Sequence, residues 1–410
     1  MNRQLARNFR LVFWIQALQN VKILNIVVTL FYLHRGLSLS QVFYLSIIWS
    51  VASTSFEVPS SYLADRWGRK KTILLATVLF FLSNVVQIWS WNFNWFALSL
   101  FLYGLAFACL TGTDEALVYD TERELSIGKD SEPLKRLGHY YSAQRVFKIF
   151  APILGALLAR DLVENQYILL IVIDSLCAAV AIICAYFIIE PNHYVDLEKK
   201  EAGVFLDAFK LLKGNVAATR AIFNRSLIFI GSLILWRYFQ DYFTDLQIPI
   251  IILGLAWGLA QGAMYLGNRK IHKITKYFNP NQAINWLNYL SIISVAASVV
   301  LYYYYPAKYL LLLTYLAFSI FEVLRWPLFS SYFNSLSNSY NRATTLSLAS
   351  FVKGILDIPL LFIAGAIVAR SPIYPYILVL LLIGLTSIIF RLKIRAPLAE
   401  VKTYGFKSSL

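Results

Sequence analysis

Charged side chains interrupt long apolar runs along this 410-residue chain, and their types and spacing define the chemistry available to it. Lys22 stands among Gln16, Gln19, Asn20 and Asn25 in an otherwise apolar stretch. Asp114 and Glu115 are adjacent, and Arg145 and Lys148 enter the next apolar run at a similar depth. Arg237 and Asp241 are four residues apart, Glu322 and Arg325 three, and Lys353 and Asp357 four, spacings that put each pair on one helical face. An ion buried in such a run is costly unless it meets a partner or a polar path, so each is either a structural pair or part of a site. Lys22, Gln19, Asn20, Arg237, Asp241, Glu322 and Arg325 are the candidate solute ligands. Guanidinium and ammonium groups there favour a carboxylate or another anionic group. A buried carboxylate with a movable cationic partner can take up and release a proton, which makes Asp114, Glu115 and Arg145 the candidate coupling group, with a permanently ionised pair as the alternative. Glu57 and Asp174 read as structural partners. His34, His139, His193 and His272 lie at edges or in loops, so proton transfer would fall to carboxylates. Cys109, Cys177 and Cys184 sit in apolar stretches without metal-ligand spacing, and neither a metal, a cofactor nor a disulfide is expected.

The elements that must position these residues follow from composition. Hydrophobic residues make up 59% and charged residues 14%, with a mean hydropathy of +0.60, which places the chain among membrane proteins. About 20 helical residues cross the hydrocarbon core. Runs of that kind fall near 11–33, 40–63, 72–92, 96–119, 140–160 and 167–189, then near 226–244, 248–267, 282–304, 308–330, 344–369 and 373–390. The fold class is therefore all-α integral membrane, with twelve transmembrane helices. Assigning alternate loops to opposite sides puts 27 of the 37 Lys and Arg on the side that carries both termini, which makes that side cytoplasmic. The net charge of +15 is thus a topology signal and not a nucleic-acid surface. Trp89, Trp91 and Trp95, and Tyr302 to Tyr305, stand where interfacial aromatics belong. The predicted division is a first six-helix bundle over 1–189, a cytoplasmic linker with an interfacial helix over 190–225, and a second six-helix bundle over 226–410.

The halves echo each other. Val146-Phe147-Lys148 recurs as Phe351-Val352-Lys353, and Asp114-Glu115-Ala116-Leu117 parallels Phe321-Glu322-Val323-Leu324, each linking the same helix of the two halves. This predicts a parallel repeat with a pseudo-two-fold axis along the membrane normal. Between helices two and three, Ser61-Tyr62-Leu63-Ala64-Asp65-Arg66-Trp67-Gly68-Arg69-Lys70-Lys71 resembles the major facilitator superfamily signature Gly-x-x-x-Asp-Arg-x-Gly-Arg-Lys/Arg, departing from it at Ser61. The resemblance implies a gating loop in which Asp65 caps helix eleven, Gly68 makes the turn, and Arg66 and Arg69 pair with an acid ending helix four, here Asp120. It also implies a central cavity lined by helices one, four, seven and ten, all of which carry charge, with helices three, six, nine and twelve at the periphery.

The resemblance implies a secondary active transporter that works by alternating access; the intramembrane cations point to a small polar solute, anionic or zwitterionic, the buried carboxylates to proton coupling, and the local sequence style to export. The local style of Asp114 to Asp120 and of Asn341 to Thr344 resembles bacterial efflux members. Membrane lipid and solute are the expected partners, nucleic acid is not, and the expected state is a monomer in the plasma (inner) membrane. An uncoupled facilitator, a multidrug or amphiphile exporter, and a non-transporting receptor or scaffold fit the same spans. No phosphate-binding loop or catalytic constellation is recognisable, so neither direct ATP drive nor an enzyme is expected.

Overall fold

A computed structural model of the chain describes residues 2–125, 147–191, 216–277, 279–336 and 342–393. A short helix α1 (Asn2–Leu5) leads into α2 (Arg7–Gln19); a 3-10 turn (Ile23–Ile26) and α3 (Val28–His34) complete the first crossing. The first half continues with α4 (Leu39–Trp67), α5 (Arg69–Trp89), α6 (Phe93–Leu110) with α7 (Thr113–Leu125), α8 (Phe147–Leu158) and α9 (Glu164–Tyr186). The second half consists of α10 (Val216–Asp245), α11 (Ile250–Tyr277), α12 (Pro280–Tyr304), α13 (Lys308–Leu336), α14 (Arg342–Val368) and α15 (Tyr374–Ile389). Nine described helices are long and apolar enough to cross a membrane, the bent first crossing is a tenth, and the shorter apolar helices α8 and α15 complete twelve. The expected linker falls largely on residues 192–215, outside the described residues.

Local sequence explains where the helices begin. Ser38 and Gln41 form a reciprocal capping box at α4, the Asn92 side chain accepts from Trp95 N at α6, and Asn279 and Gln282 with Pro280 open α12. Large apolar side chains point outward, as in Leu259 (75% exposed) and Ile388 (80%), which is the arrangement a lipid-facing surface requires. Trp89, Trp91, Trp95 and Tyr303 to Tyr305 are exposed at the end away from the termini.

The two six-helix bundles repeat a detail that their sequences do not advertise. Asn8, at the start of the first crossing, donates to Ile189 O at the end of the sixth (2.7 Å). Asn224, at the start of the seventh, donates to Phe390 O at the end of the twelfth (3.0 Å). In each half an asparagine ties the first helix to the last by satisfying a carbonyl that the helix end leaves open.

At the end remote from the termini the halves are joined. Ser40 donates to Gly365 O (2.6 Å), Tyr44 stacks on Phe362, and the α11 backbone at Gly254 lies so close to α8 that an added Cβ would stand 2.7 Å from Pro152 O. Within the first half, buried Arg35 donates to Ile88 O (3.2 Å), pairs with Glu164 and stacks on Trp91 (3.7 Å), fixing three crossings together.

The structure departs from the predicted spans in two places. The pattern predicts uninterrupted crossings over 11–33 and 96–119, whereas the first bends by 53° between its two parts and the fourth breaks at Thr111 and Gly112, where Gly112 has φ +82°. Helix α8 packs against the first break: a Cβ at Gly155 would collide with Ile23 O and stand 2.8 Å from Ile26 Cγ2. Gly155→Ala should therefore lower stability by about 1–3 kcal/mol. Gly384, which has nothing within 4 Å, should accept alanine without loss, and melting of the two variants in detergent distinguishes the cases.

Candidate functional site

A cavity of about 230 Å3 opens beside the first break, and its wall draws on six crossings. The first crossing supplies Gln19, Lys22, Asn25 and Tyr32; α5 supplies Phe80, Ser83, Asn84 and Gln87; α6 supplies Ser99 and Tyr103. Trp49 of α4, Asp174 of α9, and Trp236 and Arg237 of α10 complete it. The Lys22 ammonium lies over the Tyr103 ring (4.0 Å) and the Phe80 ring (5.4 Å), an arrangement in which ring quadrupoles stand in for lost water. Gln87 donates to the Tyr32 hydroxyl (3.2 Å), and that hydroxyl interacts electrostatically with Arg237. Three buried donors of residues on this wall, Gln19 Nε2, Trp49 Nε1 and Arg237 Nε, have no acceptor among the described residues.

The break is part of the same site. Helix α2 stops at Asn20, whose amide turns back to Gln16 O (2.8 Å), and the chain restarts after Lys22. The amides of Ile23 and Leu24, freed by the break, donate to the two carboxylate oxygens of Asp174 (3.0 and 3.3 Å). One turn on, Gln240 of α10 donates to Asn25 O (2.8 Å) and accepts from Thr29 N (2.7 Å), while the Thr29 hydroxyl donates to Arg237 O (2.9 Å). Broken backbone at membrane depth persists only where such partners satisfy it or where it borders a polar cavity, and here both conditions hold.

At the termini end, the loop between α4 and α5 is a single-residue turn at Gly68 (φ +95°). Arg69 Nη1 and Asp120 Oδ2 form an ion pair at 2.7 Å, with both side chains largely buried. Glu190, at the end of the first half, accepts from Arg69 N and Lys70 N (2.7 Å each), so its carboxylate caps α5. A Cβ on Gly68 would stand 3.0 Å from that carboxylate, a second reason for glycine there. Arg66 lies over Tyr62 (5.5 Å), and Asp65 is exposed. The start of α14, where the expected Asp65 cap would act, has side chains outside the described residues.

The family model described as Major Facilitator Superfamily matches residues 13–359. The chain belongs to the Major Facilitator Superfamily. Solved structures of the same fold include the nucleoside transporter NupG (13% identity, 94% of this chain and 98% of that one, TM-score 0.71). A D-xylose-proton symporter (14%, 95% and 96%, TM-score 0.72) and a bacterial homologue of the iron transporter ferroportin in an inward-facing state (15%, 95% and 98%, TM-score 0.69) are also similar.

Within this superfamily fold the predicted site residues separate into groups. Lys22, Gln19 and Arg237 meet at the cavity; Asn20 turns away to Gln16. Arg237 and Asp241 form no ion pair; Arg237 lines the cavity, and Asp241 is not among its lining residues. Glu322 accepts from Trp326 Nε1 (3.0 Å), and Arg325 donates to Asn224 O (2.9 Å) and Asn224 Oδ1 (2.7 Å), a buried tie between α13 and α10 apart from the cavity. Asp114 is buried at the fourth-crossing break, where Gln16 donates to it and Glu115 N caps its other oxygen (2.8 Å). Arg145 lies outside the described residues. Lys353 pairs with fully buried Asp357 (2.8 Å), which accepts from Ser50 of the other half (2.5 Å).

Asp174 acts as a structural partner by holding the Ile23 and Leu24 amides, but its position is not peripheral: α9 and α5 both reach the cavity beside the kink in the first crossing. Glu190 and Gln240 escaped the sequence reading. Glu190 had a signal in Glu-Pro at the end of an apolar run, and Gln240 in being a lone amide within one. Replacing Glu190 with alanine should raise hydrogen exchange of the Arg69 and Lys70 amides about tenfold or more, the worth of a hydrogen bond to a charged group; unchanged exchange would remove Glu190 as the cap.

Proposed function

We propose that this protein is a secondary transporter that moves a small polar organic solute with a carboxylate or another acceptor-rich anionic group, zwitterions included, by alternating access. The observation that carries the reading is the cavity wall, where the cations Lys22 and Arg237 stand with one acid, Asp174, and where Gln19 Nε2, Trp49 Nε1 and Arg237 Nε lie buried without an acceptor among the described residues. An unpaired buried donor costs about 1–3 kcal/mol, so these side chains gain by turning to meet an acceptor-rich solute. Lys22 and Arg237 outnumber the single acid, and Asp174 is engaged by Ile23 N and Leu24 N, so a negative group has the electrostatic advantage. The volume of about 230 Å3 lies below the roughly 300–1,000 Å3 of sites for drug-sized ligands, which favours a small solute over an amphiphile. Neighbouring structures include transporters of a nucleoside and of xylose with a proton, so polar cargo and proton coupling both occur on this fold.

Coupling falls to Asp114, with Glu115 beside it. Asp114 is buried at a helix break and held by the Gln16 amide, one turn before the cavity residue Gln19 on the same helix. Protonation there would alter what Gln16 can hold and so the course of α2. The basic side carries both termini, which favours a cytoplasmic position for them and the plasma membrane for the protein; the efflux-like sequence style favours export. Asp65, Arg66, Gly68, Arg69 and Asp120 then gate the cytoplasmic end, and the chain acts as a monomer of two bundles, 1–189 and 226–410, joined by the linker 190–225.

Reconstituted into liposomes, the wild type should move protons in response to a polycarboxylate or a zwitterion and not to an amphipathic cation. Arg237→Gln should raise KM about tenfold, the loss of one charged hydrogen bond. Asp114→Asn and Glu115→Gln separate the coupling candidates: solute exchange persists and proton flux disappears in the variant that removes the coupling acid. Transport of amphipathic cations alone would overturn the anionic reading, and proton flux intact in both acid variants would overturn carboxylate coupling.

A further inference from the structure

In an unbroken helix Thr29 N–H would donate to Asn25 O, four residues earlier. Here neither group does so: the Gln240 side chain, fully buried and carried by the other half of the protein, stands between them as donor to Asn25 O (2.8 Å) and acceptor from Thr29 N (2.7 Å). One amide from α10 therefore replaces one rung of the first crossing. One turn earlier on α10, Arg237 accepts the Thr29 hydroxyl through its carbonyl and lines the cavity with its side chain. Asn25 lines that cavity too. The bond that joins the halves and the wall that would meet the solute are thus the same few residues.

We propose that Gln240 is a positioning residue that couples the solute-lining break of the first crossing to the joining of the two halves at the end remote from the termini. The geometry makes its withdrawal inexpensive for the first crossing. When the halves part at that end, Gln240 leaves with α10, and Asn25 O and Thr29 N, four residues apart in the sequence, bond to each other once Val27, now at φ −127°, turns to helical values. Both arrangements leave the backbone of the first crossing satisfied, which is what a two-state element inside a membrane requires. Closing that rung straightens the segment after Lys22 and carries Asn25 along the cavity wall, so occupancy of the cavity and separation of the halves bias each other. A mere structural tie would behave differently, because its loss would leave Thr29 N and Asn25 O exposed as orphans.

This inference rests on the halves moving against each other, and its first test needs no solute. In full-length protein in lipid nanodiscs, with Cys109, Cys177 and Cys184 replaced by alanine and Ser40→Cys as reporter, labelling by a membrane-impermeant maleimide reads opening at the remote end. Gln240→Leu should increase the labelling rate about tenfold, a typical size for one coupling interaction. Hydrogen exchange of the Thr29 amide should stay within about threefold of the parent, because the direct rung replaces the lost one. Gln240→Asn, with the amide one methylene short, should change labelling in the same direction and serves if the leucine variant does not fold. Once a transported solute is in hand, both variants should lose turnover with KM nearly unchanged. Unchanged labelling, or fast exchange at Thr29 with the remote end still closed, would overturn the proposal and leave Gln240 as a tie. Failure of the anionic-solute reading would not touch the labelling result.

Discussion

Water cannot reach the hydrocarbon core, so a backbone group left open there must find a partner within the protein. The first crossing breaks in that region, and much of the architecture around the cavity answers the groups it frees. Asp174 takes the amides of Ile23 and Leu24 from one side, and Gln240 takes Asn25 O and Thr29 N from the other. Gly155 lets α8 press against Ile23 without a side chain between. The kink that results turns the interior of the first bundle into a cavity, and it explains why α5 and α9, peripheral by the expected plan, contribute to the wall.

The charge in the site follows from the same constraint. Asp174 is largely spent on backbone amides, so it neutralises Lys22 only in part, and the aromatic faces of Tyr103 and Phe80 supply the rest of the ammonium's environment. Arg237 has Tyr32 beside it and no carboxylate as a direct ion-pair partner among the described residues. Cations therefore outnumber acids on the described cavity wall, Lys22 and Arg237 against Asp174. The proposed anionic solute would restore that balance, and the imbalance is the better basis for the proposal than the mere number of charges in the membrane.

How much of this could be read in the sequence depended on whether a feature is local. Arg69 pairs with Asp120, and Gly68 takes a left-handed turn, as the motif implies, because charge placement and turn chemistry at helix ends are decided within a few residues. The twelve crossings followed from hydropathy, and their six-plus-six arrangement from the recurrence of short segments between the halves. The break in the first crossing was not legible: Asn20 to Asn25 contains neither proline nor glycine, and its cause lies at positions 174 and 240. The spacing of Arg237 and Asp241 predicted a pair, yet that rule describes side chains on a solvated helix. Inside a bundle, Arg237 answers to the cavity. Arg325, taken as a solute ligand on the same logic, is held by Asn224, a residue whose role emerges only when α10, α13 and α15 are seen together.

The two halves have the same plan and use it differently. In the second, Arg325, Asn224 and Asn288 form a buried polar network that ends on the carbonyl of Phe390, fixing α10 to the rest of its bundle. In the first, the corresponding Asn8 holds only the end of the bundle, and the polar residues deeper in the membrane face a cavity. Helix α10 is thus a rigid lever at its termini end and reaches into the first crossing at its remote end through Gln240. A stiff element joined to a broken one transmits motion better than two stiff or two broken elements. That is because the displacement collects at the break, where the backbone has two satisfied arrangements and the cavity wall moves with it.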